Sequence, residues 1–286
     1  MNDYVIMTDS TIDLNTDLAE SLELSVIRMT VCVDDKTFSD NELTPKEFYN
    51  KLRNKSVSST SQINPSVFVE YFTDIVKTGK DILYICFSSG LSGMYNSAVL
   101  AAEQVRKDYP GRKILVIDSL SASIGEGLLV YHAAMKKLAG AGMEEVAEWV
   151  EENKLKVCHW FMVDDLNHLC RGGRLSQSAA FFGSMMNIKP ILSVDNDGKL
   201  KVVSKVRGKS KAMDYILNQI ESCAQDVENQ TVLVGHADCE ENAKVLADMI
   251  LDKFKPKDII ISNLGAVIGS HVGPGMFAAT FLGNKR

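Results

Sequence analysis

The sequence predicts an α/β protein made of two lobes, and three observations lead to this class. Short apolar runs alternate with amphipathic stretches through the first half of the chain, which predicts βα units and a mainly parallel sheet covered by helices. After residue 156 two strand-like runs flank an Asp-Gly turn, which indicates a hairpin and a different sheet. The length of 286 residues exceeds what one hydrophobic core usually organises. We expect a mainly parallel lobe over residues 1–155 and a mixed-sheet α/β lobe over residues 156–286.

The elements of the first lobe follow from hydrophobic periodicity. We expect strands at YVIMT, SVIRMTVCV, DILYICF and KILVIDS, and helices at PSVFVEYFTDIVK, MYNSAVLAAEQVRK and GLLVYHAAMKKLAG. The first of these helices begins at Pro65, because proline is favoured in the first turn of a helix.

The second lobe begins with the strand KVCHWFMV, followed by the loop RGGR and the hairpin NIKPILSVDNDGKLKVVSKV. A further βα alternation places strands at TVLVGH and DIIISN on either side of the helix ENAKVLADMILDKF. In the last segment, GAVIGSHVGPGMFAATFLG, we expect His271 to lie where a strand passes into a Gly-Pro turn.

Charge, hydropathy and cysteine spacing argue against several functional classes. The net charge of −6 and the pI of about 5.5 argue against nucleic-acid binding, which needs a strong positive potential. Apolar runs are too short to cross a membrane and the start lacks a secretion signal, so we expect a cytoplasmic protein with at most transient membrane contact. The six cysteines have no metal-binding or redox spacing, so we expect reduced thiols, no metal site and no cofactor.

The turn FSSGLSGM, residues 87–94, is the first candidate site. It follows the apolar run DILYICF and precedes a predicted helix, which is where open α/β sheets usually bind ligands. Gly90 and Gly93 let the backbone approach a ligand closely, and the hydroxyl of Ser92 is well placed to contact an anionic oxygen. The alternative is that Ser92 only caps the helix.

Two further polar clusters are candidates for the same cleft. Thr60 and Ser61, in the stretch SVSSTSQINPS, could supply more hydroxyl groups, and the alternative is a polar loop with helix caps. His271 is flanked by small residues in GSHVGPG, where it serves either as a ligand group or as a structural histidine.

The ordered set of these motifs resembles the DegV family over nearly the whole chain. The residues that carry the resemblance are TDST at 8–11, TSQ at 60–62, SSGLSGMYNSA at 88–98, IDS at 117–119, RGGRLS at 171–176, NIKPIL at 187–192, DGK with KxRGK at 197–209 and GSHVGPG at 269–275.

The resemblance implies a two-lobed DegV-type fold with a long-chain fatty acid bound between the lobes. It also implies that Thr60, Ser92 and His271 contact the fatty acid carboxylate, with Ser61 and Gly93 in support. The apolar side chains of FFGSMMNI at 181–188 and MFAATFL at 276–282 either line the acyl chain or belong to the plain core.

Some members of the family act as binding subunits for a separate fatty acid kinase, which converts the bound carboxylate to an acyl phosphate for phospholipid synthesis. The resemblance therefore implies a binding protein and not an enzyme. A basic segment is the candidate docking face for the kinase, and it comprises Arg171, Arg174, Lys205, Arg207 and Lys209. The alternative is that these side chains form an ordinary solvated face.

Two other functions stay open. An acyl hydrolase would use Ser92 as nucleophile and His271 as base, although the sequence identifies no acid partner for His271 and has no GxSxG motif. A nucleic-acid-associated regulator is disfavoured by the negative net charge.

Overall fold

The computed structural model describes residues 3–178 and 187–286. The strands are β1 (Tyr4–Asp9), β2 (Ser25–Ile27), β3 (Thr30–Val33), β4 (Lys36–Ser39), β5 (Ser58–Ser61), β6 (Asp81–Cys86), β7 (Ile114–Asp118), β8 (Val157–Met162), β9 (Ile188–Val194), β10 (Leu200–Arg207), β11 (Thr231–His236), β12 (Asp258–Asn263) and β13 (Phe277–Leu282). The α-helices are α1 (Thr16–Ser21), α2 (Pro45–Arg53), α3 (Pro65–Lys77), α4 (Met94–Asp108), α5 (Ile124–Leu138), α6 (Met143–Asn153), α7 (Asn167–Arg171), α8 (Lys209–Cys223), α9 (Glu240–Phe254) and α10 (Ala266–Val272).

The N-terminal half, residues 3–155, contains two sheets. A four-stranded parallel sheet has the order β2-β1-β6-β7, as the βα alternation predicts. A three-stranded antiparallel sheet has the order β4-β3-β5, so β5 lies at its edge. The edge strand β5 carries Thr60, and helix α10 packs against it.

The C-terminal half, residues 156–286, forms a six-stranded mixed sheet with the order β10-β9-β8-β13-β11-β12. Only β11 and β12 pair in parallel, and the other neighbours are antiparallel. The predicted hairpin is β9–β10, and Gly198 in its turn has a φ of 72°, a conformation that glycine adopts readily. The prediction of an α/β fold with one parallel and one mixed sheet is therefore confirmed.

Two local predictions are wrong. The run SVIRMTVCV is not one strand, because β2 pairs with β1 in the parallel sheet whereas β3 pairs with β4 and β5 in the other. The apolar pattern continues across this break, so the local periodicity does not reveal that the partner strands change.

His271 lies in helix α10 and not at the end of a strand. All residues of this short helix except His271 are buried, namely Ala266, Val267, Ile268, Gly269, Ser270 and Val272. A helix buried on nearly every side shows no clear amphipathic period, and its β-branched residues therefore resemble a buried strand in the sequence.

The larger hydrophobic core crosses from one half of the chain to the other. Helix α5 contacts β1 in the N-terminal half and also β8, β11 and β13 in the C-terminal half. The Tyr49 hydroxyl on α2 donates a hydrogen bond to the Leu264 carbonyl at 3.0 Å. The strands of each sheet all come from one side of the boundary between residues 155 and 156, but the larger hydrophobic core contains residues from both sides. The domain boundary therefore stays a prediction.

The Arg286 side chain joins several segments, a role that the sequence analysis missed. Its guanidinium group donates five hydrogen bonds, at 2.7–2.9 Å, to the carbonyl groups of Leu120, Lys154, Val157 and Asp195 and to the Ser121 hydroxyl. These acceptors come from the β7–α5 loop, from Lys154 and the first residue of β8, and from the β9–β10 turn. Arg286 thus ties the hairpin to the N-terminal half.

Replacing Arg286 with Met should lower the free energy of unfolding by about 3 kcal/mol, because several half-buried acceptors lose their donors together. Chemical denaturation of the wild type and the variant measures this difference. The matched control is Arg207→Met on the exposed face of β10, which should change stability by less than about 0.5 kcal/mol. Equal stability of the two variants would contradict the role of Arg286.

Candidate functional site

The Ser/Gly turn, residues 87–94, packs against the β9–β10 turn from the other half of the chain. The Ser88 hydroxyl donates a hydrogen bond to the Gly198 carbonyl at 2.8 Å. A Cβ atom at Gly90 would overlap the carbonyl oxygen of Asp197, and one at Gly198 would overlap Ser88 Oγ. The small residues are thus required where the two backbones meet.

A cleft lies between the two halves beside this turn, with about 820 Å³ of empty space when the part open to solvent is counted. Most of its wall is apolar and comes from both halves. The apolar lining residues are Met29, Phe87, Leu91, Ala122, Ile124, Trp160, Phe161, Leu169, Val194, Leu200, Val267, Ile268, Val272, Met276 and Ala278. The polar ones are Thr11, Thr60, Gln62, Ser92, Ser123, His159, Arg174, His271 and Thr280.

The three residues predicted to contact a carboxylate all line this one cleft. Thr60 Oγ1 on β5 lies 2.9 Å from His271 Nε2 on α10, at hydrogen-bonding distance. Ser92 enters from the Ser/Gly turn, and its Oγ accepts a hydrogen bond from the Met94 amide at 3.3 Å. Ser92 thus contacts the first residue of α4 and lines the cleft, but it is not the N-cap of this helix, which is Gly93.

His271 is neutral at physiological pH. Burial, together with the nearby Arg174 cation, lowers the pKa of its imidazole to about 4. His271 Nδ1 has no hydrogen-bond partner in the part of the chain that the structure describes, and it sits against Gly172, where a Cβ would overlap the ring. We place the proton on Nε2, because an unpaired N–H donor at Nδ1 would be costly. Nε2 then donates to Thr60 Oγ1 and leaves the Thr60 hydroxyl hydrogen free for a ligand.

Arg174 is half-buried in the cleft wall, although the sequence analysis assigns it to a docking surface. Its Nε donates to the Leu91 carbonyl at 3.1 Å, and its guanidinium group also donates to the Gly172 carbonyl. These bonds fix a cationic group next to the Ser/Gly turn. The signal that could have located Arg174 is its place in RGGR directly after α7, a helix that packs against α10.

The remaining predicted residues lie elsewhere. Ser61 is exposed outside the cleft lining, whereas Gly93 leaves room for the Gln62 side chain, which does line the cleft. Arg171 is exposed and its guanidinium group lies 3.0 Å from His168 Nδ1. Lys209 contacts Asp164 at 3.6 Å.

Two apolar segments were predicted either to line the acyl chain or to belong to the core. Residues 181–186 of FFGSMMNI lie outside the described residues. In MFAATFL, Met276, Ala278 and Thr280 line the cleft, while Phe277 and Phe281 belong to the smaller hydrophobic core on the other face of the sheet.

Two further findings concern the residues that the structure describes. They include no cluster of histidine, cysteine, aspartate or glutamate side chains able to hold a metal ion. Among the same residues, no helix is long and apolar enough to span a membrane.

The fold and the site define a class of protein: an α/β protein with one parallel and one mixed sheet and an apolar cleft that carries hydroxyl, imidazole and guanidinium groups. The model of the DegV family, described as "Uncharacterised protein, DegV family", matches residues 3–284. This chain belongs to the DegV family.

Relatives and solved structures agree with this assignment. A DegV domain-containing protein of Clostridium perfringens is 44% identical over 289 residues, covering 100% of this chain and 99% of the relative. The solved structure of a DegV family protein of Thermus thermophilus, described as showing fatty acid binding, superposes with a TM-score of 0.89 at 30% sequence identity. The superposition covers 99% of this chain and 100% of that protein. DegV of Bacillus subtilis, described as a fatty acid binding protein, gives 0.86 at 30% identity, with the same coverage.

Replacing Gly90 with Ala should lower the free energy of unfolding by about 1–3 kcal/mol, because the added methyl group meets the backbone of the β9–β10 turn. Thermal or chemical unfolding measures the change. Gly111→Ala is the matched control, since a Cβ there meets nothing within 4 Å. Equal stability of both variants would show that the two turns do not pack in this way.

Proposed function

We propose that this protein binds a long-chain fatty acid in the cleft and holds its carboxylate beside Thr60, Ser92 and His271. The observation that carries the proposal is the distribution of groups in the cleft: an apolar wall contributed by both halves, with two hydroxyl groups and one cation near the Ser/Gly turn. The fatty acid binding described for the Thermus thermophilus and Bacillus subtilis relatives supports it.

The apolar tail would supply most of the affinity. Burying about 15 methylene groups at roughly 0.8 kcal/mol each gives a gross term on the order of 12 kcal/mol, before the costs of ordering are subtracted. A charge-assisted hydrogen bond adds about 1.5–3 kcal/mol. The head-group residues therefore determine mainly the direction in which the chain enters.

The head-group residues would have distinct roles. The Thr60 and Ser92 hydroxyls donate hydrogen bonds to the carboxylate, and His271 orients the Thr60 hydroxyl through the 2.9 Å contact. Arg174 supplies positive charge that offsets the carboxylate, at a position fixed by its own bond to Leu91. Since Arg174 keeps this charge throughout the accessible pH range, the site favours the ionised acid.

The geometry favours a binding protein over the acyl hydrolase. His271 Nε2 contacts Thr60, while Ser92 Oγ contacts the Met94 amide, so the required nucleophile–base pair is not formed. An orienting carboxylate would bind His271 Nδ1, but this atom has no partner among the described residues.

We further propose that the protein presents the carboxylate to a separate fatty acid kinase, which feeds phospholipid synthesis. The exposed side chains of β10 support a docking role, since Lys201, Lys205 and Arg207 are all cationic and exposed on this edge strand. Arg171 is exposed too, whereas Arg174 lies in the cleft wall.

The fatty acid that co-purifies with the protein tests the binding proposal. Mass spectrometry of lipid extracted from the purified wild type should detect about one fatty acid per chain. Ser92→Ala and Thr60→Val should each retain about tenfold less, because each loses a hydrogen bond to a charged group. Ser61→Ala is the matched control, since its hydroxyl lies outside the cleft, and should retain the wild-type amount. A wild type that neither carries nor takes up fatty acid would refute the proposal.

The docking proposal is tested by charge reversal at Arg207. With a purified bacterial fatty acid kinase, Arg207→Glu should lower the rate of acyl phosphate formation about tenfold or more, while fatty acid binding stays unchanged. Lys257→Glu is the control, because it is exposed near β12 at the opposite edge of the same sheet. Equal rates for the two variants would contradict docking at β10.

A further inference from the structure

Glu126 is a fully buried acid in the first turn of α5, beside the wall of the cleft. Its neighbours Ser123 and Ile124 line the cleft, as does Thr11, which Glu126 contacts. Packing here is close, since a Cβ at Gly127 would overlap the carbonyl oxygen of Ile12. If Glu126 were ionised, its side chain would therefore have little space in which to turn toward water.

The hydrogen bonds around Thr11 require one more proton than ionised carboxylates provide. Thr11 Oγ1 lies 2.5 Å from Asp9 Oδ1 and 2.8 Å from Glu126 Oε2. A hydroxyl group has a single hydrogen and can donate only one of these bonds. The other bond must be donated to Thr11 by a protonated carboxyl group.

The proton belongs to Glu126 and not to Asp9. Both Asp9 oxygens accept further hydrogen bonds, from the Thr11 amide at 3.1 Å, the Tyr84 hydroxyl at 3.0 Å and the Phe87 amide at 3.2 Å. Burial raises the pKa of Asp9, but these donors oppose that rise because they stabilise its ionised form, and Glu126 has no comparable set of donors. Glu126 Oε2 contacts the Thr11 hydroxyl, whereas Glu126 Oε1 has no hydrogen-bond partner among residues 3–178 and 187–286. The bonds then run from Glu126 to Thr11 to Asp9.

The acidic groups that face Glu126 from the N-terminal half are Asp9, Asp13 and Asp118. Burial, followed by the charge of Asp9, raises the pKa of Glu126 well above its usual range. Burial also raises the pKa of Asp13 to about 8, so Asp13 is mainly protonated at neutral pH. Tyr84 and Cys86 on β6 are neutral neighbours, and His159 on β8 packs against the adjacent Gly125. Burial lowers the pKa of His159, so this ring is also uncharged, and no basic side chain of residues 3–178 and 187–286 forms an ion pair with Glu126.

We propose that Glu126 is a positioning residue that stays protonated at neutral pH, holds Thr11 against Asp9, and thereby keeps a second buried charge away from Thr11 and this wall of the cleft closed. Loss of the proton in alkaline solution places two buried anions on either side of Thr11 and loosens the wall. Once this proton is lost, the cleft holds a bound fatty acid less tightly. This part of the inference rests on the proposed fatty acid binding.

The test compares the wild type with Glu126→Gln, whose amide group donates to Thr11 at every pH. The infrared difference spectrum of the wild type minus the variant at pH 7 should show the carbonyl band of one protonated carboxylic acid, because Asp13, whose pKa is about 8, contributes equally to both proteins. A raised pKa in the folded state costs stability as pH rises above the unfolded value. Between pH 6 and 9 the folding equilibrium constant should therefore fall about tenfold more per pH unit in the wild type than in Glu126→Gln. Glu126→Ala, which cannot donate, should be less stable than Glu126→Gln across this range.

Three outcomes decide the inference. Absence of the infrared difference, or parallel pH profiles of unfolding, would overturn the protonation of Glu126. Retention of a radiolabelled long-chain fatty acid should decline more from pH 7 to pH 9 in the wild type than in Glu126→Gln, and equal declines would overturn the link to the ligand. If neither protein binds fatty acid at pH 7, the proposed function fails, while the infrared and unfolding results still decide the state of Glu126.

Discussion

The cleft depends on one close contact, in which the Ser/Gly turn of the N-terminal half meets the β9–β10 turn of the C-terminal half. Gly90 and Gly198 bring the two backbones together, and the Ser88 hydroxyl bonds across the junction. Arg286 holds the same hairpin by its bond to the Asp195 carbonyl. Because Val194 and Leu200 on this hairpin line the cleft, the contact places an apolar wall from one half opposite the hydroxyl groups of the other.

The electrostatics of the cleft follow from burial. His271 is kept neutral and Glu126 protonated, because charging either group would remove a charge from water without a compensating partner. Arg174 retains its charge beside the Ser/Gly turn, where a carboxylate would offset it. Among the described residues that line the cleft, Arg174 is the one permanent cation and most of the others are apolar. This arrangement suits a fatty acid, since such a ligand has one charge and a long apolar chain.

Much of the fold could be predicted from the sequence, because strands such as β6 and helices such as α3 have clear periodicity and defined ends. The prediction failed at α10, whose burial on nearly every side removes the amphipathic pattern, and between β2 and β3, where only the partner strands change. Thr60, Ser92 and His271 could be selected because each lies in a polar or glycine-rich motif. The RGGR motif singles out Arg174 but does not show that it lies in the cleft wall, and no motif marks Arg286 or Glu126, because the roles of all three come from contacts between segments far apart in the chain.

An experimental structure of the protein saturated with a long-chain fatty acid tests the central claim most directly. The account predicts an acyl chain within the cleft, with its carboxylate oxygens at hydrogen-bonding distance from the Thr60 and Ser92 hydroxyls and its tail among the apolar side chains of both halves. A fatty acid bound outside the cleft, or one whose carboxylate lies at the first turn of α5 while its tail emerges beside Ser92, would contradict it.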